Sequence, residues 1–340
     1  MSRFCSETSH RVRSASLLVL AAVLAGGTAR ADDAPAESTP VPQESQPAAS
    51  PQAPATAPKD DVGHANSEHG SLADVGAKLA DPTSNVWALF TEFDLSFSDG
   101  DSNTGDPKIG GDMVFQPILP LPLYGVGGKQ WKMLNRPTIP VIFSAPIPTG
   151  SINSFDHKWG LGDITWPMLL TPPTDMTHNW MLGLGPTWLF PSATPDVFGK
   201  NQWGIGPTAI VGYKTKKFVV GAFPQYFFKI GSTGGQNDTP DASFMSLLYF
   251  GFLNLPDAWQ VGFNPVITYN DKATKGNQWN VPVWLLVTKT VAIAKRPVKF
   301  QFGLEYSVVS EDDFGKRFMM KLNVLPVMQS LIKNPIFGGN

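Results

Sequence analysis

Apolar and mixed positions alternate along residues 217–231, which read KFVVGAFPQYFFKIG. In an extended strand, successive side chains point to opposite faces. One face of this segment would then be apolar throughout and carry Pro224, whereas the other would combine Phe and Gly with Gln225 and Lys229. An apolar outside and a mixed inside are typical of a membrane β-barrel, whose outer face meets lipid while its inner face lines a lumen.

The same period of two recurs from Val86 to the end of the chain. It predicts about twelve strands, at 86–97, 111–124, 130–144, 160–171, 179–190, 202–214, 217–230, 243–255, 258–269, 279–293, 297–309 and 316–327. Long polar connections such as DGDSNTGDPKI alternate with short ones such as VGGK, as in outer-membrane barrels. The sequence therefore predicts an all-β fold, a transmembrane antiparallel up-and-down β-barrel of about 12 strands with a short N-terminal helix.

Aromatic residues stand ten positions apart on one face of several predicted strands. The pairs are Trp87 and Phe97, Trp180 and Phe190, Trp203 and Tyr213, Phe218 and Phe228, and Trp259 and Tyr269. Ten residues span roughly 33 Å, which a strand tilt of about 40° reduces to roughly 25 Å, the height of an outer-membrane apolar band with two aromatic girdles. A soluble sandwich has no reason for this interval on its outer face.

The N-terminus has the features of a cleaved export signal over residues 1–31. Arg11 and Arg13 precede the apolar core SLLVLAAVLA, and Ala29-Arg30-Ala31 forms a small-x-small cleavage site. Cleavage removes four arginines and one glutamate from 26 basic and 28 acidic residues. The mature net charge of −5 argues against nucleic acid as a partner.

Four regions follow the signal. Residues 32–70, rich in Ala, Pro, Ser and Gln, are predicted to be a disordered periplasmic linker. Residues 71–82 are predicted to form a short amphipathic helix, with apolar residues at helical spacing. The barrel is expected over 83–328 and a C-terminal tail over 329–340. We expect the helix to dock in or under the barrel mouth and to narrow it.

Four stretches resemble a known family: LADVGAKLADPTSNVWAL (72–89), LNRPTIPVI (134–142), WGLGDITWPMLLTPP (159–173) and QWGIGPTAIVGYKTKKFVVGAFPQY (202–226). They are similar to Gram-negative outer-membrane β-barrels described as transporters, which are related to the barrel of the meta-cleavage phenol-degradation pathway. The resemblance implies outer-membrane localisation and passage of small hydrophobic or aromatic compounds. The partners it implies are outer-membrane lipid, such a solute and the barrel-assembly machinery. Outer-membrane barrels commonly end on an aromatic residue, but this chain continues through LIKNPIFGGN.

Patterns for catalysis, metal ions and cofactors are weak. Cys5, the single cysteine, leaves with the signal, and the Gly-rich stretches lack the Lys-Ser/Thr of a phosphate loop. His157 stands near Asp156 and Ser154, the best hydrolase candidate. We expect a protein that is not an enzyme and has no metal site and no cofactor.

Charged, polar and aromatic side chains face the lumen by parity. They are Glu92, Asp94, Asp112, Arg136, Asp163, Phe223, Gln225, Phe227, Lys229, Lys299, Glu305, Arg317 and Lys321. Acidic residues of the first two strands should meet basic residues of the last two where the barrel closes. Two interpretations stay open: a selective passage for a small solute, or a plugged structural or surface-interaction barrel without transport.

Prolines fall at one height on the lipid face by parity, at Pro186, Pro207, Pro224 and Pro265. Proline gives no N–H to a strand ladder. One hypothesis is a kinked wall through which an apolar solute leaves sideways. The alternative is that bulges or register place each missing donor where no bond is due.

Overall fold

The computed structural model describes residues 71–126, 129–233 and 241–337. The predicted export signal and linker lie outside the described residues. Fifteen strand segments close into an antiparallel barrel of twelve passes, which confirms the predicted fold class. The barrel is closed because β1 pairs with both β2 and β15.

The segments have the following bounds. They are β1 (Trp87–Gly100), β2 (Asn103–Tyr124), β3 (Trp131–Asn135), β4 (Ile139–Pro148), β5 (Phe155–Leu161), β6 (Ile164–Thr171), β7 (Trp180–Phe190), β8 (Gln202–Lys214), β9 (Phe218–Ser232), β10 (Ser243–Asn254), β11 (Trp259–Phe263), β12 (Val266–Asn270), β13 (Trp279–Ile293), β14 (Arg296–Val309) and β15 (Gly315–Met328). Helix α1 is Leu72–Ala80, and a single turn, α2, is Thr174–Thr177. No helix in the described ranges is long and apolar enough to cross a membrane.

Three passes consist of two segments each: β3 with β4, β5 with β6, and β11 with β12. A pass here means one crossing of the barrel wall by the chain. Between the two segments of such a crossing, two or three residues are not paired in the strand ladder, and after them even-numbered residues can face the side that odd-numbered residues faced before. This is why twelve predicted strands correspond to fifteen segments.

Inner and outer faces follow the alternation along β9. Phe223 and Phe227 are 2% and 1% exposed and point into the barrel, whereas Val220 and Phe228 are 43% and 51% exposed on the outside. The apolar outer surface distinguishes this barrel from a soluble sandwich, whose apolar side chains are packed inside.

Aromatic side chains gather on the outside near the two ends of the barrel. Trp180 contacts Tyr213 with ring centroids 5.3 Å apart at one end, and Phe190 contacts Trp203 at 5.6 Å at the other. Trp87 departs from the predicted pattern because it is 7% exposed and its indole N–H donates to the Pro120 carbonyl.

The C-terminal residues cover a strand edge. β2 continues past its pairing with β1, which leaves its last residues with one free edge. The backbone N–H groups of Ile336 and Phe337 donate to the carbonyls of Pro122 and Leu123 at 3.0 and 2.7 Å. An unpaired edge is a site for unwanted association, so the tail completes the wall beyond the last strand.

Candidate functional site

Helix α1 closes one end of the lumen, called here the α1 end; the opposite opening is the far end. Ser71 and Asp74 form a capping box that starts the helix. Its apolar side places Val75, fully buried, against Val86 and Val327. The helix lies against β10, β11, β13 and β14, so it occupies the barrel mouth as a plug.

Three lysines hold the plug. Lys214 pairs with Asp81 at 2.5 Å, and the Lys132 ammonium donates to the Thr83 carbonyl at 2.6 Å. Lys299, fully buried, lies 3.5 Å from the Gly76 carbonyl and 4.7 Å from the Phe252 ring centroid. Lys132 and Lys214 were absent from the predicted lumen set, although the inward parity of both could have identified them.

A charge cluster sits where the barrel closes. The Lys321 ammonium is 3.4 Å from Glu92, 3.8 Å from Asp94 and 3.3 Å from Glu305. It also lies 4.8 Å from the Trp284 ring centroid. The structure thus brings Glu92 and Asp94 of β1 to Lys321 of β15 and adds Glu305 of β14, whereas Lys299, which was predicted to meet the same acidic residues, lies at the plug.

A second pair lies beside this cluster. Asp112 of β2 pairs with Lys316 of β15 at 2.7 Å, although Arg317, and not Lys316, was predicted to face the lumen. The reason is a register shift between Phe97 and Ser98 on β1, which displaces the alternation at this point of β15. When the alternation of faces is counted along the sequence across such a shift, it predicts the wrong residue to face the lumen.

Arg136 stands in the break between β3 and β4. Its Nε donates to Gln116 Oε1 at 2.7 Å, and its guanidinium carbon is 5.9 Å from the Phe223 ring centroid. Gln116 donates in turn to Thr138. Arg136 forms none of the ion pairs found within the described ranges.

The remaining lumen candidates lie towards the middle and the far end. Gln225 accepts from Thr187 at 3.0 Å, and Phe227 stacks on Phe244 at 4.7 Å. Lys229 pairs with Asp241 at 2.6 Å; the Asp241 side chain is exposed and that of Lys229 is partly exposed. These contacts place polar and aromatic groups side by side in the interior.

Asp163 anchors a loop over the far end. Its carboxylate accepts from the backbone N–H of Ala193 at 3.1 Å and of Lys200 at 2.6 Å. The loop between β7 and β8 therefore folds inward, and its Phe198 lines the vestibule. Asp163 is a structural anchor at the rim of the lumen.

Two cavities lined by the described residues differ greatly in size. The far end opens into a vestibule of about 800 Å³, lined by Asp112, Lys316, Ser144 and Phe244 among others. Beneath the plug lies a cavity of about 50 Å³, well below the roughly 150 Å³ that holds a benzene ring.

Three of the predicted lipid-facing prolines lie beside interruptions in the pairing between neighbouring strands. Pro186 and Pro207 pair with each other in the regular β7–β8 ladder, and Pro224 pairs with Leu247 in the regular β9–β10 ladder. The missing N–H groups therefore point to the other sides, β6–β7 and β8–β9. There the pairing is interrupted, at 185–186 of β7 and at 206–207 and 209–210 of β8.

Pro265 was wrongly placed on the lipid face. It is buried, in the break between β11 and β12, and its carbonyl accepts from the Tyr249 N–H at 3.2 Å. The break reverses the alternation, because Phe263 and Val266 are both exposed.

The hydrolase candidate His157 contacts a different serine from the one expected. Its Nδ1 lies 2.8 Å from Ser144 Oγ. No described hydrogen bond joins this histidine to a carboxylate that would orient it, as a catalytic triad requires. In the described ranges, no group of three or more His, Cys, Asp or Glu residues is placed to hold a metal ion.

Comparisons with known proteins bear on the fold. No protein-family model matches the chain, and no curated protein does either. Among solved structures, an outer membrane channel from Pseudomonas putida F1 is similar with a TM-score of 0.54 and 12% identity, over 72% of this chain and 96% of that one. The toluene transporter of Pseudomonas putida gives a TM-score of 0.33 and 9% identity, over 74% and 92%. The first similarity shows that the barrel fold is shared with an outer-membrane channel.

Proposed function

We propose that this protein is an outer-membrane channel for passive passage of small hydrophobic or aromatic compounds, closed by α1 between passage events. The observation that carries the proposal is the presence of aromatic rings in the barrel interior. Phe252 lines the cavity beneath the plug, Phe244 lines the vestibule, and Phe227, buried in the interior, stacks on Phe244. Stacked rings in a dry wall favour apolar and aromatic solutes over ions.

Several features support an outer-membrane position. The outer face is apolar with aromatic clusters at both heights, as a barrel in lipid requires. The predicted export signal, the resemblance in sequence and the fold shared with an outer-membrane channel agree with it. The shorter turns at the α1 end support a periplasmic position for that end and an outside position for the vestibule. The resemblance in sequence to the phenol-degradation barrel makes phenol a suitable probe.

A lateral exit is part of the proposal. Interrupted ladders at β6–β7 and β8–β9 lie beside Pro186, Pro207 and Pro224. In hydrocarbon, backbone groups without partners cost several kcal/mol each. Strands held by fewer bonds separate more easily there, so an apolar solute could pass from the lumen into the membrane.

The rival function is a closed structural or surface-interaction barrel. The specific observation in its favour is the seated plug with only about 50 Å³ beneath it. Uptake of labelled phenol and benzyl alcohol into vesicles with a lipopolysaccharide leaflet separates the two functions. A channel accelerates uptake above that of protein-free vesicles. Purified, folded protein with neither uptake nor conductance in a planar bilayer would establish the rival.

A further inference from the structure

The cavity beneath the plug contains a positioned cation. Arg136 lines it together with the rings of Phe90, Phe250 and Phe252. Gln116 holds the guanidinium through its Nε, and Thr138 holds Gln116. The side chain is thus held by neutral hydrogen-bond partners, and it forms no ion pair with any described residue.

The nearby carboxylates are engaged elsewhere. Glu92, Asp94 and Glu305 surround Lys321, and Asp81, at the edge of the cavity, pairs with Lys214. A confined guanidinium that has no ion-pair partner of its own favours the binding of an anion. Its planar fork matches a carboxylate in a bidentate pair.

The other lining groups define the rest of the ligand. The three phenylalanine rings and Leu248 provide an apolar slot. Asn264, in the break between β11 and β12, also lines the cavity, and its buried Oδ1 accepts no hydrogen bond from any residue that the structure describes. A buried acceptor of this kind is satisfied by a hydroxyl donor.

We propose that Arg136 and Asn264 form a binding site for small hydroxylated aromatic carboxylates, in which the guanidinium binds the carboxylate and the amide oxygen accepts from the hydroxyl. The inference rests on the proposed function and adds a preferred solute class to it. Because the cavity measures about 50 Å³ and a ring needs roughly 150 Å³, the solute must displace Leu79, Ala80 and Asp81 of the plug segment. Binding and plug seating therefore compete.

The test compares 4-hydroxybenzoate with 4-hydroxybenzyl alcohol, which differ mainly in the charged group, by calorimetry on the full-length protein. We expect 4-hydroxybenzoate to bind at least tenfold more tightly. Arg136→Met should abolish this preference and leave the alcohol unaffected, and Arg136→Lys should restore part of it. Lys229→Gln, which removes a cation at the far end, is the matched control and should change neither affinity.

A second variant tests the competition. A Cβ at Gly76 would lie 2.7 Å from Thr290 Oγ1, so Gly76→Val should unseat α1 without changing the charge of the cavity. It should tighten 4-hydroxybenzoate binding several-fold, whereas Ala73→Val, on the exposed side of the same helix, should not.

Equal affinity for acid and alcohol, or an equal loss of both in Arg136→Met, would overturn the inference. So would no measurable binding of either compound to the Gly76→Val protein. Uptake of benzyl alcohol into vesicles is read separately. If that uptake persists while the acid shows no preference, the channel stands and the carboxylate site does not.

Discussion

The two ends of the lumen differ, because the α1 end is closed and the far end is open. At the α1 end, a separate helix is held by Lys132, Lys214 and Lys299 and leaves about 50 Å³ beneath it. At the far end, a loop anchored by Asp163 borders a vestibule of about 800 Å³. The closure at the α1 end belongs to a segment outside the strand ladder, so it can move while the barrel stays intact.

The largest expected effect comes from removing the plug. Deleting residues 32–80 should raise single-channel conductance several-fold, because the helix fills the α1 mouth while the far end is already open. Deleting residues 32–70 alone retains the helix and is the matched control. A folded 32–80 deletion with the conductance of the control would show that the lumen is closed elsewhere.

Lys321, in the charge cluster of the barrel wall, should affect heat stability, whereas Lys214, at the plug, should affect conductance. Lys321→Met leaves three buried carboxylates without their common base, and breaking a buried pair costs about 3–5 kcal/mol, so heat stability of the barrel should fall markedly. Lys214→Met removes a pair at the plug and should raise conductance with little effect on barrel melting.

Charge reversal tests directly the contact between Glu92 and Lys321 in the charge cluster. Glu92→Lys and Lys321→Glu should each lower heat stability or shift ion selectivity, with partial recovery in the double variant. Strictly additive effects of the two reversals would argue against the 3.4 Å contact between them.

The prolines test whether solutes use a route other than the two ends. Replacing Pro186, Pro207 and Pro224 together by alanine restores three N–H groups at the interrupted seams. We expect slower uptake of benzyl alcohol, by a few-fold, and unchanged ion conductance. Unchanged uptake with a repaired ladder would assign the prolines to register alone.

The smallest effect concerns the start of the plug. Hydrogen bonds from the Ser71 side chain and backbone lower the pKa of Asp74 below its usual value. A lowered carboxyl pKa stabilises the folded helix above the unfolded pKa, and this stability is lost as pH falls through the folded value. Conductance should therefore rise slightly below about pH 4, and Asp74→Asn should show the higher conductance already at neutral pH.

The barrel could be predicted from the sequence because its strands repeat with period two. The period fails where the ladder is irregular. Asn264 and Pro265 interrupt one strand of the barrel and reverse its alternation, so Pro265 was predicted on the wrong face. At the register shift beside Phe97, Lys316 pairs with Asp112 although it was not among the predicted lumen residues. Such shifts cannot be predicted from the local sequence, because they depend on how the strand pairs with its neighbour.

The site was predictable only in part. Inward parity identified Glu92, Asp94, Glu305 and Lys321 as lumen candidates, but not that one lysine would serve three carboxylates. The role of Lys214 depends on Asp81, which is 133 positions earlier in the chain. The sequence carries no local mark of that contact.

A reversible lock on the plug tests the central claim most directly. A Cβ at Gly76 would lie 3.6 Å from the Thr290 Cβ, within the usual disulfide range of about 3.5–4.5 Å, and Cys5, in the predicted export signal, is the single natural cysteine. In the Gly76→Cys/Thr290→Cys protein, oxidation should abolish benzyl alcohol uptake and current openings, and reduction should restore both. The Gly76→Cys variant alone should not respond to oxidation. Equal uptake by the oxidised and reduced double variant would contradict the account, because solutes would then cross without movement of α1.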